Sequence, residues 1–433
     1  VRWCSRPRRG LRRRQQRWAP LSCRRARWPA TDVNLAAGDL GIVGAGQLAR
    51  MMAEAASQLG VRTLVLAARA DDAATAVVSE VLSGEATDRR ALLDLAGRCD
   101  VVTFDHELVD LELLGELERE GVRLRPGVET LRIAVDKAQM RTCFSAAGLP
   151  VPRHAVLGAA GGGRGPEDLA AAIGDFARDG GWPVVVKAAR GGYDGKGVWL
   201  VKGEAAALTL CQDAARDRSP LLVEARVDID AELAVVVARG CDGTSVAWPP
   251  VETAQVDGVC REVRYPGNLD PDLTARATTL AREVAAIVGA VGVLAVELFA
   301  CRGELFVNEI AARPHNSAHW TIEGATTSQF ENHVRAVLGF PLGDPSPVAP
   351  QVVSVNVFGA PSPGAPDTAE RMSAALEVRG AHLHLYGKSP RPGRKLGHVT
   401  VCGEDPVDVR ERAWAAARAL GTPVPDLIDV GSP

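Results

Sequence analysis

The densest chemistry in the sequence is the stretch Gly191-Gly192-Tyr193-Asp194-Gly195-Lys196-Gly197. Four glycines in seven residues neither hold a helix nor pack a strand, but they can fold over a ligand and turn backbone N–H groups toward phosphates. Just before it, the apolar run Val184-Val185-Val186 ends on Lys187, a charge on a strand that could reach a polyphosphate. The chain holds only six lysines (Lys137, Lys187, Lys196, Lys202, Lys388, Lys395) against 44 arginines. In so Arg-biased a sequence, a retained lysine marks a site where a compact ammonium cannot be exchanged for a wide guanidinium fork. An exposed hairpin with a polar tip would not account for two scarce lysines and a Tyr-Asp pair at one place.

The segment from Val296 to Glu309 reads as a hairpin with Glu297 and Glu309 placed symmetrically about Gly303. In a regular antiparallel ladder with that centre the two face each other on one side. Adjacent carboxylates repel unless a cation lies between them, and magnesium favours one or two carboxylates completed by phosphates and water. The motif from Arg313 to Thr321 follows directly and gathers Arg313, His315 and Asn316, a set suited to a small oxyanion. Near the end, Lys388, Arg391, Arg394, Lys395 and His398 form a basic Pro/Gly-turned segment. It suits a phosphate, and equally a solvated hairpin.

Gly44-Ala45-Gly46-Gln47-Leu48 after the strand Leu40–Val43 fits a dinucleotide fingerprint, with Asp71 and Asp72 near the end of the next strand. Alone it argues for an NAD-dependent oxidoreductase, but many α/β proteins open a first helix this way without binding NAD.

These groups need a scaffold. Strands at 40–43, 62–66 and 101–104 alternate with helical stretches, which predicts a parallel sheet with crossover helices. Strands are also expected at 184–187, 221–227 and 232–238, the last two joined by a hairpin-like turn at Asp228-Ile229-Asp230, and a long helix at 271–288. The segment 158–166 reads as a loop, and Pro-rich stretches at 341–350 and 361–366 mark a boundary before a small last domain. At 433 residues the chain should form two or three domains. Nine scattered cysteines without a CxxC pair read as reduced thiols in a cytosol, and no apolar run is long enough to span a membrane.

Residues 1–30 carry eleven arginines and no acid, so removing those eleven from the net of −3 leaves −14 for the rest. A nucleic-acid arm and an organellar transit peptide both share this composition. The reading we favour is a disordered segment translated from an upstream start codon, given the GC-rich composition and a first residue that is Val. No nucleic-acid or membrane partner is expected. Deleting residues 1–36 should therefore leave both melting temperature and activity unchanged. Lost ligand affinity in the truncated protein would place the arginines in the site.

Taken together, GxGQL, GGYDGKG, the LVE…E pair of Glu224 and Glu232, the two-glutamate hairpin, RPHNSAHWT and RPGRKLGH resemble the ATP-grasp superfamily. Within it they are most similar to the 5-(carboxyamino)imidazole ribonucleotide synthase family, over about residues 40–425. The resemblance implies mixed α/β and α+β architecture: an ATP-grasp fold with an N-terminal Rossmann-like (preATP-grasp) domain and a small C-terminal domain. Its expected divisions are a head at 1–38, the first domain at 39–131, the ATP-grasp domain with its lid at 132–343 and the last at 344–433. It implies that ATP phosphorylates bicarbonate to carboxyphosphate, which carboxylates the amine of 5-aminoimidazole ribonucleotide, in a cytoplasmic homodimer.

By position, Lys137 and Lys187 would contact ATP phosphates under the loop of Gly191, Gly192, Gly195, Lys196 and Gly197. Glu224, Ala225, Arg226 and Val227 would hold the adenine, Glu232 the ribose, and Asn308 would lie beside the nucleotide. Glu297 and Glu309 would bind magnesium, and Arg313, His315 and Asn316 the bicarbonate or carboxyphosphate. Tyr193, Asp194 and Lys395 would orient the aminoimidazole or manage its proton. Lys388 and Arg394 would meet its phosphate, with Gly46, Gln47 and Leu48 lining the same cleft. Three places depart from the family pattern: Gln255 stands for its usual His, Thr253 for an Asn, and Asp105-His106-Glu107 for a Glu-rich turn. Rival readings are a formate-using glycinamide ribonucleotide transformylase, a biotin-carboxylase-like ligase, and a non-catalytic nucleotide-binding relative.

Overall fold

The first strands, β1 (Asp39–Val43), β2 (Arg62–Ala67), β3 (Glu80–Ser83) and β4 (Val101–Phe104), form a sheet in the order β3-β2-β1-β4. Every pairing in it is parallel, as the alternation of short apolar strands with helices requires. The computed structural model describes residues 38–158, 165–192, 196–214, 220–359 and 368–425. The Arg-rich head and Tyr193, Asp194 and Gly195 of the glycine-rich stretch lie outside the described residues.

A second sheet is antiparallel, ordered β5-β8-β6-β7, from β5 (His154–Leu157), β6 (Val184–Ala188), β7 (Val198–Val201) and β8 (Leu221–Ala225). Helices Pro166–Gly180 and Glu204–Ala214 cover one face, packing Ile173, Ala177 and Ala207 on Val184, Val186 and Val223. Strand alternation puts Lys187 and Glu224 on the other face.

The large sheet runs β14-β13-β9-β11-β12-β15-β17-β16, with β10 (Ser245–Ala247) paired to β9 (Ala231–Arg239). Its members are β11 (Val251–Val256), β12 (Val259–Tyr265), β13 (Gly292–Cys301), β14 (Glu304–Ala311), β15 (Gln351–Phe358), β16 (Ala381–Leu385) and β17 (Lys395–Gly403). Here one expectation is corrected. Asp228-Ile229-Asp230 does not close a hairpin, because β8 and β9 belong to different sheets; the segment is the crossing between them. The last strands are joined edge-on to the large sheet through β12 and β15. Buried Glu262 fastens that join, accepting from Arg410 Nε at 3.0 and 3.1 Å and from the Trp414 indole N–H. Among the described residues no helix is long and apolar enough to cross a membrane, and the seven cysteines there are free thiols.

Two β-bulges in this sheet decide where side chains point. The β13–β14 hairpin closes through the two-residue turn Arg302-Gly303, both with positive φ (52° and 78°), so Cys301 pairs with Glu304. Continued regularly, that register would set Glu297 against Asn308 and turn Glu309 to the opposite face. A bulge intervenes, with Leu298 opposite Val307 but Glu297 opposite Glu309. The carboxylates do meet, through an inserted residue and not through a regular ladder centred on Gly303. A second bulge pairs Val357 with Gly397 but Phe358 with Lys395. Leu396 is the extra residue, and it brings Lys395 to the face of His398.

Candidate active site

The site grows from the face of β6, β8 and β14 that carries polar residues. Lys187 and Glu224 are both nearly inaccessible, and Lys187 Nζ lies 2.7 Å from Glu224 Oε2 and donates to Asn308 Oδ1 at 3.1 Å. Arg141, fully buried on the helix Lys137–Ala146, donates through Nε to Glu224 Oε1 and through Nη2 to the Asn308 carbonyl at 2.7 Å. Burial pushes the Lys187 ammonium down, opposed by the Glu224 charge. For Glu224, burial favours the neutral acid, but Lys187 and Arg141 outweigh it and hold the carboxylate below its usual range. The result is a fixed cationic wall. Arg141 escaped the sequence reading, although its spacing of four from Lys137 puts both on one helix face.

Beyond Asn308 stands the carboxylate pair. Burial first, then the charges of Glu309 and Glu232, push Glu297 up to about 7. Glu232 and Glu297 share a face because Phe299 pairs with Glu232 and Glu297 with Ala234. Lys137 Nζ sits 2.5 Å from Glu309 Oε1, so a cation already meets this negative cluster. Among the described residues no group of three or more His, Cys, Asp or Glu could hold a metal ion by itself. Two carboxylates are nonetheless the share a protein contributes when phosphates and water complete a magnesium shell. The donor set fits a nucleotide-bound magnesium and no stand-alone metal centre.

His315 Nε2 lies 3.6 Å from Glu297 Oε1, while its Nδ1 is 2.9 Å from Ser317 Oγ. Burial, Arg313 and Lys395 push this imidazole down to about 3, so it is neutral. Asn316 Oδ1 is buried without a partner among the described residues, and an orphaned acceptor calls for a donor from a ligand. Lys395 lies with Nζ 6.0 Å from the centre of the Phe358 ring, and its charge bears on His315, His319 and His398.

Next to these lies a cavity of about 510 Å³ lined by Gly46, Gln47, Leu48, Asp72, Asp105, His106 and Arg313, among others. Lys388 reaches it by donating to Gln47 Oε1. Arg394 does not line it; its guanidinium donates to Ser389 O at 3.1 Å, and its charge acts on Asp71. The glycines of the first turn have a local explanation. Asp105 Oδ2 accepts from Gly46 N–H at 2.5 Å, and a Cβ on Gly46 would fall 2.6 Å from that oxygen. The anion position at this helix N-terminus is filled by the chain's own carboxylate. With Gly46 N–H already taken by Asp105, a pyrophosphate would meet a carboxylate there, which argues against the NAD reading.

Of the glycine-rich stretch, Gly191 and Gly197 have positive φ (78° and 74°), and a Cβ on Gly192 would strike Lys196 O at 2.6 Å. Ala225, Arg226 and Val227 end β8 and begin the crossing to β9, with Ala225 N–H bound to Arg153 O at 2.8 Å. Thr253 Oγ1 donates to the Glu232 carbonyl at 3.4 Å, and Gln255 pairs with Cys260.

An antiparallel sheet whose Lys187 and Glu224 meet Asn308 of the carboxylate-bearing β13–β14 hairpin is the arrangement of an ATP-grasp ligase. The chain matches the ribonucleotide synthetase preATP-grasp domain over residues 38–135 and the ATP-grasp domain over 143–330. It matches the phosphoribosylaminoimidazole carboxylase C-terminal domain over 352–412. It is 46% identical over 382 residues to the N5-carboxyaminoimidazole ribonucleotide synthase of Mycobacterium bovis, covering 88% of this chain and 87% of that one. The N5-carboxyaminoimidazole ribonucleotide synthetase structure from Thermus thermophilus superposes with a TM-score of 0.77 at 36% identity, over 88% of this chain and 98% of that one. The synthase from Aspergillus clavatus, solved with ADP and 5-aminoimidazole ribonucleotide, gives 0.78 at 29% identity, over 89% and 99%. The chain belongs to the N5-carboxyaminoimidazole ribonucleotide synthase family.

Proposed function

We infer that this protein carboxylates 5-aminoimidazole ribonucleotide at the expense of ATP, giving N5-carboxyaminoimidazole ribonucleotide, ADP and phosphate in purine biosynthesis. The observation that carries the reading is the position of Arg313. It lies four residues beyond Glu309 on the nucleotide side and also lines the cavity of the first domain. One guanidinium thus adjoins the place where a phosphoryl group would be transferred and the place where a ribonucleotide would be held.

In the proposed mechanism Lys187 and Lys137 neutralise the polyphosphate, and Glu224, Ala225, Arg226, Val227 and Glu232 hold the nucleoside. When bound, magnesium held by Glu297 and Glu309 would stabilise charge on the transferring phosphoryl group. A bicarbonate oxygen attacks the γ-phosphorus as its bond to the ADP oxygen breaks, giving carboxyphosphate. Arg313 and the neutral His315 orient that oxyanion, and the orphaned Asn316 Oδ1 suits the hydroxyl of bicarbonate. The amine of the aminoimidazole then forms the C–N bond as the C–O bond to phosphate breaks, and its proton passes to the departing phosphate. Tyr193, Asp194 and Lys395 serve this step, with Lys388 on the ribonucleotide phosphate and Arg394, outside the cavity lining, adding its charge beside Lys388. Carboxyphosphate hydrolyses readily, so the glycine-rich stretch 191–197 is assigned to water exclusion. Bicarbonate as the carbon source, magnesium, a cytoplasmic location and a homodimer follow from the family reading.

The discriminating experiment is phosphate release from ATP with bicarbonate or formate, each with aminoimidazole or glycinamide ribonucleotide. Turnover is expected only with bicarbonate and aminoimidazole ribonucleotide together. Turnover with formate and glycinamide ribonucleotide would favour the transformylase reading.

A further inference from the structure

Glu107 stands in the turn after β4, in the first domain, yet its carboxylate reaches the end of β14 in the large sheet. Its Oε1 accepts from Ala312 N–H at 3.0 Å and its Oε2 from Arg313 Nε at 3.2 Å. Both side chains are mostly enclosed, 24% exposed for Arg313 and 19% for Glu107. Arg313 Nη1 donates to Pro314 O at 3.3 Å, which leaves the Nη2 edge to meet an anion. Two residues earlier, Asp105 holds Gly46 N–H. One short turn therefore grips both walls of the cavity: the glycine turn through Asp105 and the strand end through Glu107.

We propose that Glu107 is the positioning residue of Arg313, setting the guanidinium so that one edge faces the oxyanion between nucleotide and ribonucleotide. The proposal rests on the carboxylation reading. Glu107 is not among the residues lining the cavity, and in this proposal it acts through Arg313. An arginine loses much rotamer freedom when fixed, and the contact of Nε with a carboxylate that is itself anchored on Ala312 N–H fixes it before substrate arrives. Without that contact the guanidinium samples other rotamers, and a displacement of about 1 Å can cost on the order of 100-fold in rate.

The test uses the full chain and four variants: Glu107→Gln, Glu107→Asp, Arg313→Ala and the double variant of Glu107→Gln with Arg313→Ala. An amide offers one acceptor oxygen, so Glu107→Gln can serve Ala312 N–H or Arg313 Nε but not both, with almost no change of shape. Ribonucleotide-dependent phosphate release should fall roughly 10- to 100-fold, with ATP affinity within about twofold of the unmutated chain. Adding Glu107→Gln to Arg313→Ala should cost nothing further, since residues acting through one contact are not additive. Glu107→Asp, which keeps the charge on a shorter arm, should recover part of the loss. Unchanged turnover in Glu107→Gln would overturn the proposal, as would independent, multiplying losses in the double variant or a loss of ATP binding. Failure of the carboxylation reading shows separately, as no ribonucleotide-dependent turnover in the unmutated chain, and would overturn the proposal with it.

Discussion

Glu309→Gln is expected to abolish ATP turnover in a protein that still folds. The bulge in β14 places Glu309 opposite Glu297, in a cluster that Glu232 also makes negative. Such an arrangement is costly to maintain without a cation, and Lys137 on Glu309 supplies only part of the compensation. The amide keeps the side chain's shape and can still accept a hydrogen bond from Lys137, so packing should survive. It removes one of the two charges that would hold a divalent ion. Loss of an outer partner of a metal ligand typically costs about 10- to 100-fold, and a direct ligand should cost more. Normal turnover at saturating magnesium in the folded variant would remove Glu309 from the metal site. The apo protein itself should change little in stability, because relief of repulsion offsets the lost Lys137 ion pair.

The second large effect is expected from Lys395→Arg. The bulge at Leu396 turns Lys395 onto the face of His398, beside Phe358 and within electrostatic reach of His315 and His319. A lysine that merely balanced surface charge would be replaceable in a chain this rich in arginine. If it lies beside the attacking amine, the broader guanidinium displaces that amine, and a shift of about 1 Å can cost on the order of 100-fold. Ribonucleotide-dependent phosphate release should fall by about that factor. Nucleotide affinity should stay near that of the unmutated chain, since Lys187, Glu224 and Arg141 lie in other segments. Wild-type turnover would end the catalytic assignment, and loss of ATP binding would show that Lys395 belongs with the nucleotide.

Both residues illustrate what the sequence could convey. Residue type was legible: scarce lysines and a symmetric glutamate pair stand out against an Arg-rich, acidic background. Facing was harder, since one inserted residue turns a side chain to the other side of a strand. Glu297 and Glu309 meet for a reason opposite to the regular ladder expected of them. The Asp228–Asp230 segment shows a second limit. Turn composition signals a change of direction, but not whether the next strand returns to the same sheet. Arg141 was not legible and Asp105 was legible only as a departure in its turn, because each acts through a partner distant in sequence, Glu224 in one case and Gly46 in the other. The glycine fingerprint correctly announced a close approach to the backbone, but the approaching group is an internal carboxylate.

The central claim is that ATP cleavage here drives transfer of a bicarbonate carbon to the amine of the ribonucleotide. Its most direct measurement follows isotopically labelled bicarbonate, with ATP, magnesium and 5-aminoimidazole ribonucleotide, while ADP is counted in the same reaction. The account predicts label on the ribonucleotide as an acid-labile carboxylate, in equal amount to the ADP formed, and no ADP above background when the ribonucleotide is withheld. Ribonucleotide-dependent ADP formation without label transfer, or label transfer that does not need ATP, would contradict it.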